Sequence, residues 1–383
     1  MILLGGSYYF FYFSSNYLIV LLIFTTILDF YLAKIIHDTE DALRKKLLLT
    51  ISLVGNLGLL GFFKYMDFGI AQFNNLLMNL GISEIPLMNV VLPIGISFYT
   101  FQTISYTVDC YRGLIKPEED FILYACYVTF FPQLVAGPIL RANEVIYQLK
   151  SRARFSWMNI AVGLRRIIYG LFLKVVLADN IAPLVDTGFL IPLETISAID
   201  VWTLAFLFGF QIYFDFYGYS LIAIGLGQLF GFKFPMNFRL PYEAKNPRDF
   251  WRRWHISLSY WIRDYLYLPL GGNHQYARNI LLVFAVCGLW HGAGWTFVIW
   301  GLYHGLLVLT FHFGNNLWNA LPAILQRTLT FGLVSFGWTL FIFDFSGINA
   351  FFLSLIGRSE VEVPNPDVEA WLGVLLATVV CFG

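Results

Sequence analysis

The chain has 383 residues, of which 58% are hydrophobic, 19% aromatic and 13% charged, and its mean hydropathy is +0.68. This composition excludes an ordinary soluble globular protein. Several windows of about 18 or more residues carry almost no charge, which is the length that a helix needs to cross about 30 Å of hydrocarbon. The alternating segments of about ten residues that are typical of membrane β-barrels are not found. We therefore predict an all-α polytopic membrane protein.

The charges balance, with 24 lysines and arginines against 24 aspartates and glutamates, but they are not evenly spread. Basic residues concentrate in three stretches, at 34–46, 141–166 and 233–263. By the positive-inside rule, these stretches mark cytoplasmic loops. The four cysteines are scattered and form no CxxC pair, which argues against a disulfide framework or a thiolate metal site.

Apolar segments follow one another along the chain, and we count roughly nine or ten membrane segments in a single domain that covers residues 1–383. The segment 121–139 is interrupted by prolines, which predicts a kinked or re-entrant helix. The segment 157–185 is too polar to face lipid, and 199–230 fits either one long helix or two joined near Asp215. The other predicted segments are 7–36, 47–63, 90–113, 280–313, 325–343 and 370–382.

The stretch 250–273, FWRRWHISLSYWIRDYLYLPLGGN, is crowded with arginine and tryptophan. It predicts an amphipathic helix at the membrane surface. In one interpretation its arginines hold lipid phosphates. In the functional interpretation, Arg252 and Arg253 pair with phosphates of a cytosolic donor, and His255 faces the same cavity as His291. The face that would carry His255 also holds Trp251, Leu258, Ile262 and Leu266.

The stretch 288–305, GLWHGAGWTFVIWGLYHG, predicts a helix inside the membrane that carries His291. An ionisable group at that depth is costly and usually functional, and a neutral imidazole is a natural general base. The alternative is a histidine that only donates a hydrogen bond to a neighbouring helix. Trp290 and Trp295 would wall a pocket and offer indole N–H donors. Room for a substrate beside His291 would come from three glycines, Gly288, Gly292 and Gly294.

Two other polar residues in apolar segments have weaker claims on function. Asp215 is a candidate substrate-binding residue, although pairing with an arginine or a hydroxyl group is the favoured interpretation. His304 lies on the same predicted helix as His291, which would place it about 20 Å further along. The six histidines show no HxxxH or HxxHH spacing, so no metal site is predicted. Neither a phosphate-binding G-x-x-x-x-G-K loop nor a G-x-S-x-G elbow is present, which leaves acid–base chemistry by histidine.

These residues resemble the membrane-bound O-acyltransferase family, in particular its bacterial alginate O-acetylation branch. The resemblance covers about residues 92–305. It is carried by the two stretches above and by LPIGISFYTFQTISYTVDCYRG, FFPQLVAGPILR and QIYFDFYGYSLIAIGLGQLFGFKFPMNFRLPY. By position, His291 and His255 match the two conserved histidines of the family. Compared with the family, the chain lacks an apolar helix at its start and the closing helices at its end, so we expect a fragment or a shortened member.

The resemblance implies a helical bundle with re-entrant and interfacial helices in the cell inner membrane. It also implies an enzyme that moves acetyl groups from a cytosolic thioester such as acetyl-CoA, with no bound cofactor, to an extracytoplasmic polysaccharide such as alginate. A partner protein would complete the delivery, and nucleic acid would play no part. The alternatives are D-alanyl transfer to teichoic acid, acetylation of peptidoglycan or cellulose, and a non-catalytic transporter or channel.

Overall fold

The computed structural model describes residues 1–134, 137–151, 156–191, 197–342 and 380–381. Within these ranges the chain forms helices and connecting loops without a strand, which confirms the all-α prediction. The predicted segment 370–382 lies almost entirely outside the described residues. The helices are α1 (Ile2–Ser15), α2 (Ile19–Asp38), α3 (Ala42–Asn79), α4 (Ile96–Tyr111), α5 (Phe121–Thr129), α6 (Phe131–Leu134), α7 (Ala142–Lys150), α8 (Trp157–Leu171), α9 (Asp179–Leu190), α10 (Ala198–Leu229), α11 (Pro247–Trp251), α12 (Ile256–Ile262), α13 (Tyr276–His291), α14 (Trp295–Asn319) and α15 (Ala323–Thr339).

Four helical stretches of the described chain are long and apolar enough to cross a membrane. They are Ile2–Asp38, Ala42–Asn79, Ala198–Leu229 and Trp295–Asn319. The first includes both α1 and α2, which meet at a short 3₁₀ turn. Shorter helices such as α4 and α13 have 16 residues each and extend only about 24 Å at 1.5 Å per residue. The predicted segments therefore divide into full-length spans and shorter helices.

The second predicted span was placed at 47–63 and ended at Lys64, and the structure corrects this boundary. Helix α3 continues through Lys64 for 38 residues, from Ala42 to Asn79. Lysine favours helix, and its long apolar stem lets the amine reach beyond the helix surface, so one lysine does not end the element. Within the second half of α3, Asn74 is buried and its side-chain amide binds both the backbone N–H and the carbonyl oxygen of Ile85.

The interruption predicted at Pro132 is confirmed. Helix α5 ends at Thr129, and a separate turn of helix, α6, follows after Phe130. Gly95 lies against this break with a φ of 69°, and a Cβ atom there would stand 2.4 Å from the carbonyl oxygen of Leu134. Both the left-handed backbone and the close approach require glycine at this position.

The open question about residues 199–230 is resolved in favour of one helix, because α10 runs unbroken past Asp215. Its glycines permit close helix contacts. A Cβ atom at Gly218 would lie 2.7 Å from the carbonyl oxygen of Gly170 in α8.

The chain forms two compact units. The first comprises Met1–Leu164 and Ala223–Pro235, with a core rich in buried tyrosine and phenylalanine. The second comprises Arg165–Ile222 and Met236–Gly383, and its described core stacks aromatic rings such as Tyr242, Phe250 and Trp254. The prediction of one domain over 1–383 remains a prediction. All residues of the candidate site below belong to the second unit.

Candidate functional site

The stretch 250–273 does not form the single surface helix that we predicted. Helix α11 ends at Trp251, α12 begins at Ile256, and a π-helical turn follows at Arg263–Tyr267. The break lies at His255, whose backbone is left-handed with φ 41° and ψ 56°. This conformation is uncommon for residues other than glycine. Asn237 holds the chain there, because its carbonyl accepts from the N–H of Ile256 at 2.9 Å and its side chain accepts from the Ser257 hydroxyl at 2.6 Å.

The stretch 288–305 is also not one helix. Helix α13 ends at His291, the chain turns through residues 292–294, and α14 runs back along α13 from Trp295. The glycines make this hairpin possible. A Cβ atom at Gly288 would lie 2.0 Å from the carbonyl oxygen of Phe297, and one at Gly301 would lie 2.0 Å from that of Phe284. The prediction that glycines clear a route to His291 is therefore wrong for Gly288 and Gly292, where the backbone and the ring of Phe297 in α14 fill the space.

The hairpin also changes the position of His304. We predicted it about 20 Å beyond His291 on one straight helix. In the structure the rings of both histidines lie 5.0 Å from the same Trp300 ring, so the two are neighbours. The prediction of one straight helix was wrong, because the turn at 292–294 reverses the direction of the chain between the two histidines.

A cavity of about 400 Å³ lies between α11, α12, α13 and α14. Its wall on α13 repeats at helical spacing, so the cavity follows one face of this helix from its first residue to its last. At 1.5 Å per residue that length is about 22 Å. The residues on this face are Tyr276, Ile280, Val283, Phe284, Cys287 and His291.

The end of the cavity at Tyr276 is polar and basic. The Arg248 guanidinium donates to the Tyr276 hydroxyl at 3.3 Å, and the Tyr267 hydroxyl donates to Asn273 at 2.7 Å. All four of these side chains line the cavity, together with Arg252 and Arg263. This end offers the fixed positive charge and hydrogen-bond donors that suit phosphate groups.

The opposite end of the cavity brings His291 and His255 together. Both line it, and the Trp290 ring lies between them, 4.9 Å from the His291 ring and 6.1 Å from the His255 ring. His255 is 2% exposed, and neither of its ring nitrogens has a hydrogen-bond partner among the described residues. Burial, with a smaller contribution from His291, lowers the pKa of His255 well below its ordinary value, so this imidazole is neutral.

The other predicted site residues divide into two groups. Arg252 lines the cavity, whereas Arg253, its neighbour in sequence, is not among the lining residues and pairs with Asp249 at 3.0 Å. Neither of the two tryptophans predicted to wall the pocket lines the cavity: Trp295 is 51% exposed at the start of α14, and Trp290 contacts the two histidine rings without being part of the lining. Asp215 lies away from the cavity lining and binds Lys174 at 2.6 Å, so its partner is a lysine rather than an arginine or a hydroxyl group.

Sequence reasoning missed several residues of the site. Tyr276 and Cys287 lie 15 and 4 residues before His291, and the helical spacing back from this histidine was the signal that could have found them. Trp300 makes an edge-to-face contact with the His291 ring. No sequence pattern indicated this contact, because it depends on the turn between α13 and α14, which we did not predict. We predicted that five residues of 250–273 share one helix face. Although the helix is broken, four of them line the cavity, namely Trp251, His255, Leu258 and Ile262.

The chain is similar in sequence to several known transferases. Over 349 residues the chain is 40% identical to a peptidoglycan O-acetyltransferase of Helicobacter pylori, covering 82% of this chain and 65% of the relative. It is 42% identical over 301 residues to a probable alginate O-acetylase of Pseudomonas aeruginosa, covering 76% and 57%. A teichoic acid D-alanyltransferase of Bacillus subtilis is 31% identical over 281 residues, covering 67% and 70%.

The chain thus spans between about half and two thirds of the length of the first two relatives. The sequence profile of the membrane-bound O-acyltransferases matches residues 7–354, which include every element of the cavity. This chain therefore belongs to the membrane-bound O-acyltransferase family.

Proposed function

We propose that the protein is a membrane O-acyltransferase that takes acetyl groups from a cytosolic thioester such as acetyl-CoA and passes them on for O-acetylation of an extracytoplasmic polysaccharide such as alginate. The observation that carries this proposal is the cavity, which joins a basic end near Tyr276 to a pair of histidines at His291. The names of the relatives support acetyl transfer to a cell-envelope polysaccharide.

The cavity suits a long, thin donor that carries charge at one end. The basic stretch 233–263 is cytoplasmic by the positive-inside rule, so Arg248 and Arg252 meet a donor that arrives from the cytosol. They pair with its phosphates. The pantetheine arm of the donor then lies along the apolar wall that includes Ile280 and Val283, and the thioester at its end reaches His291. The donor is consumed as a substrate, and no bound cofactor is needed.

In the chemical step, His291 accepts the proton of an incoming hydroxyl group, whose oxygen attacks the thioester carbonyl carbon. The carbon–sulfur bond then breaks, and His291 returns the proton to the leaving thiolate. When the acyl oxygen carries negative charge, the neutral His255 donates a ring N–H to this oxygen. The Trp290 ring packs beside both histidine rings. The acyl group passes directly from sulfur to the incoming oxygen, and no acylated histidine forms.

The test is the replacement of His291 by glutamine in cells that make the acetylated polysaccharide. We expect normal amounts of protein in the membrane and loss of acetyl ester from the envelope glycans. His274→Gln serves as the control, because His274 is exposed and lies outside the cavity lining. Unchanged ester in the His291 variant would disprove the proposal.

The acceptor and the location complete the proposal. We assign the protein to the inner membrane and the final acceptor to a polysaccharide outside it, reached through an extracytoplasmic partner protein. D-alanyl transfer is distinguished by the acyl group found on the acceptor. A non-catalytic transporter is distinguished by thiol release from acetyl-CoA in proteoliposomes, because a transporter would release none.

A further inference from the structure

A second polar site lies within the first unit. Asp29 in α2 is fully buried within the apolar stretch Ile2–Asp38. Within the described part of the chain, no lysine, arginine or histidine forms an ion pair with it. A carboxylate at membrane depth without a cationic partner is costly, and such residues usually mark ion or proton binding.

The groups around Asp29 come from two further helices, and all of them are neutral. From α3, the Ser52 hydroxyl donates to Oδ1 and the Asn56 amide donates to Oδ2 at 2.7 Å. From α4, the Thr107 hydroxyl donates to Oδ1 of Asp29 at 3.3 Å. The Thr103 hydroxyl donates to the side-chain amide oxygen of Asn56 at 2.9 Å. Each of these side chains is fully buried.

Each of the three contacts of Asp29 is a hydrogen-bond donor, so together they offset part of the cost of burying an ionised carboxylate. The donors spread the negative charge but do not neutralise it. The structure therefore combines one carboxylate with four neutral hydroxyl- or amide-bearing side chains, where α2, α3 and α4 meet.

We propose that Asp29, Ser52, Asn56, Thr103 and Thr107 form a binding site for one monovalent cation, sodium in particular. Every ligand would be a hard oxygen, which alkali and alkaline-earth cations prefer. Hydroxyl and carboxamide groups can turn an oxygen lone pair toward the ion in place of the proton they now donate. The single carboxylate matches a single positive charge. A divalent site would need more acidic ligands, and the described residues hold no cluster of three acidic, histidine or cysteine side chains.

The bound cation would join three helices of the first unit, so it would stabilise the folded state by an amount that grows with the logarithm of its concentration above the dissociation constant. This site does not depend on the proposed acyl transfer. Its test is the thermal unfolding of the full chain in lipid nanodiscs, compared between sodium chloride and choline chloride at equal ionic strength. We expect the unfolding temperature to rise with the logarithm of the sodium concentration above the dissociation constant and to show no such rise in choline.

Two variants test which residues hold the ion. Asp29→Asn removes the charge and should abolish the response to sodium. Ser52→Ala is the gentler change, and we expect it to weaken the apparent sodium affinity at least tenfold in a protein that still folds. Ser105→Ala is the matched control, since Ser105 is equally buried but its hydroxyl donates to the Gln102 carbonyl at 2.8 Å. Equal unfolding temperatures of the wild-type protein in sodium and choline, a sodium response that persists in Asp29→Asn, or an unchanged apparent sodium affinity in Ser52→Ala would overturn the proposal.

Discussion

At the scale of single residues, His255 combines a buried side chain with a left-handed backbone. Asparagine tolerates that backbone better than most residues, so His255→Asn should retain the fold while it removes the imidazole. Burial lowers the pKa of His255. The unfolded chain therefore binds a proton below about pH 6.5 that the folded chain does not bind, and stability falls as the pH decreases through that value.

We predict that the wild-type protein loses stability between pH 7 and pH 5 with a contribution from His255 of up to about 1.4 kcal/mol per pH unit. His255→Asn should lack that contribution. The measurement is the unfolding temperature of both proteins across this range. Identical pH dependence in the two would contradict a neutral, buried His255.

Two adjacent arginines offer a second test at this scale. Arg252 lines the cavity, whereas Arg253 is held by Asp249. Arg252→Ala should raise the KM for acetyl-CoA about tenfold, the effect of one lost charged hydrogen bond. It should change the KM for acetyl-pantetheine, which lacks the nucleotide phosphates, far less. Arg253→Ala is the control, and an equal effect of both changes would show that the assignment of Arg252 to the donor is wrong.

At the scale of elements, the α13–α14 hairpin depends on close backbone contact. Gly288→Ala would place a Cβ atom 2.0 Å from the Phe297 carbonyl and force the two helices apart. We predict a destabilisation of about 1–3 kcal/mol, typical of overpacking, together with loss of transfer because His291 ends α13. The unfolding temperature and the turnover of the purified variant check this.

Gly294→Ala is the matched control, since its Cβ atom would meet nothing closer than 3.4 Å. The backbone there, with φ −171°, is extended and open to any residue. Equal stability of the two variants would contradict the role given to Gly288.

The same hairpin shows how far elements can be predicted from sequence. Apolar composition indicated helix on both sides of residues 292–294 but could not separate one helix from two, because glycine is compatible with a turn and with close helix packing alike. His255 posed the opposite difficulty. Its neighbours have the helical spacing of a surface helix, and only the tertiary hydrogen bonds of Asn237 impose the break.

At the scale of the whole molecule, composition alone was sufficient to predict a helical membrane protein, because hydrocarbon requires every backbone group to be paired. The sequence surroundings of His255 and His291, together with the family resemblance, singled out two histidines that the fold brings to one cavity. The polar end of the cavity and the exclusion of Asp215 and Trp295 from it depend on how separate helices pack, which no local pattern records.

Orientation in the membrane is a whole-molecule property that labelling can test. Helix α3 is 38 residues long, or about 57 Å, so the loops at its two ends should lie on opposite sides of the membrane. Glu40 and Glu84 are exposed in those loops, and the four native cysteines are buried. We predict that an impermeant maleimide labels Glu84→Cys in spheroplasts with an intact inner membrane and labels Glu40→Cys only after permeabilisation, because the stretch 34–46 is basic. Labelling of both from the same side would contradict this orientation.

The central claim is that a thioester reaches His291 along the face of α13. Val283 lines the middle of the cavity and is 8% exposed, whereas Val286, less than one turn later, is 49% exposed and lies outside the lining. The most direct measurement is thiol release from acetyl-CoA by the purified protein in nanodiscs after Val283→Trp or Val286→Trp. We predict that Val283→Trp lowers turnover at least tenfold while both histidines and the unfolding temperature are preserved, and that Val286→Trp retains wild-type turnover. Wild-type turnover in Val283→Trp would contradict the account.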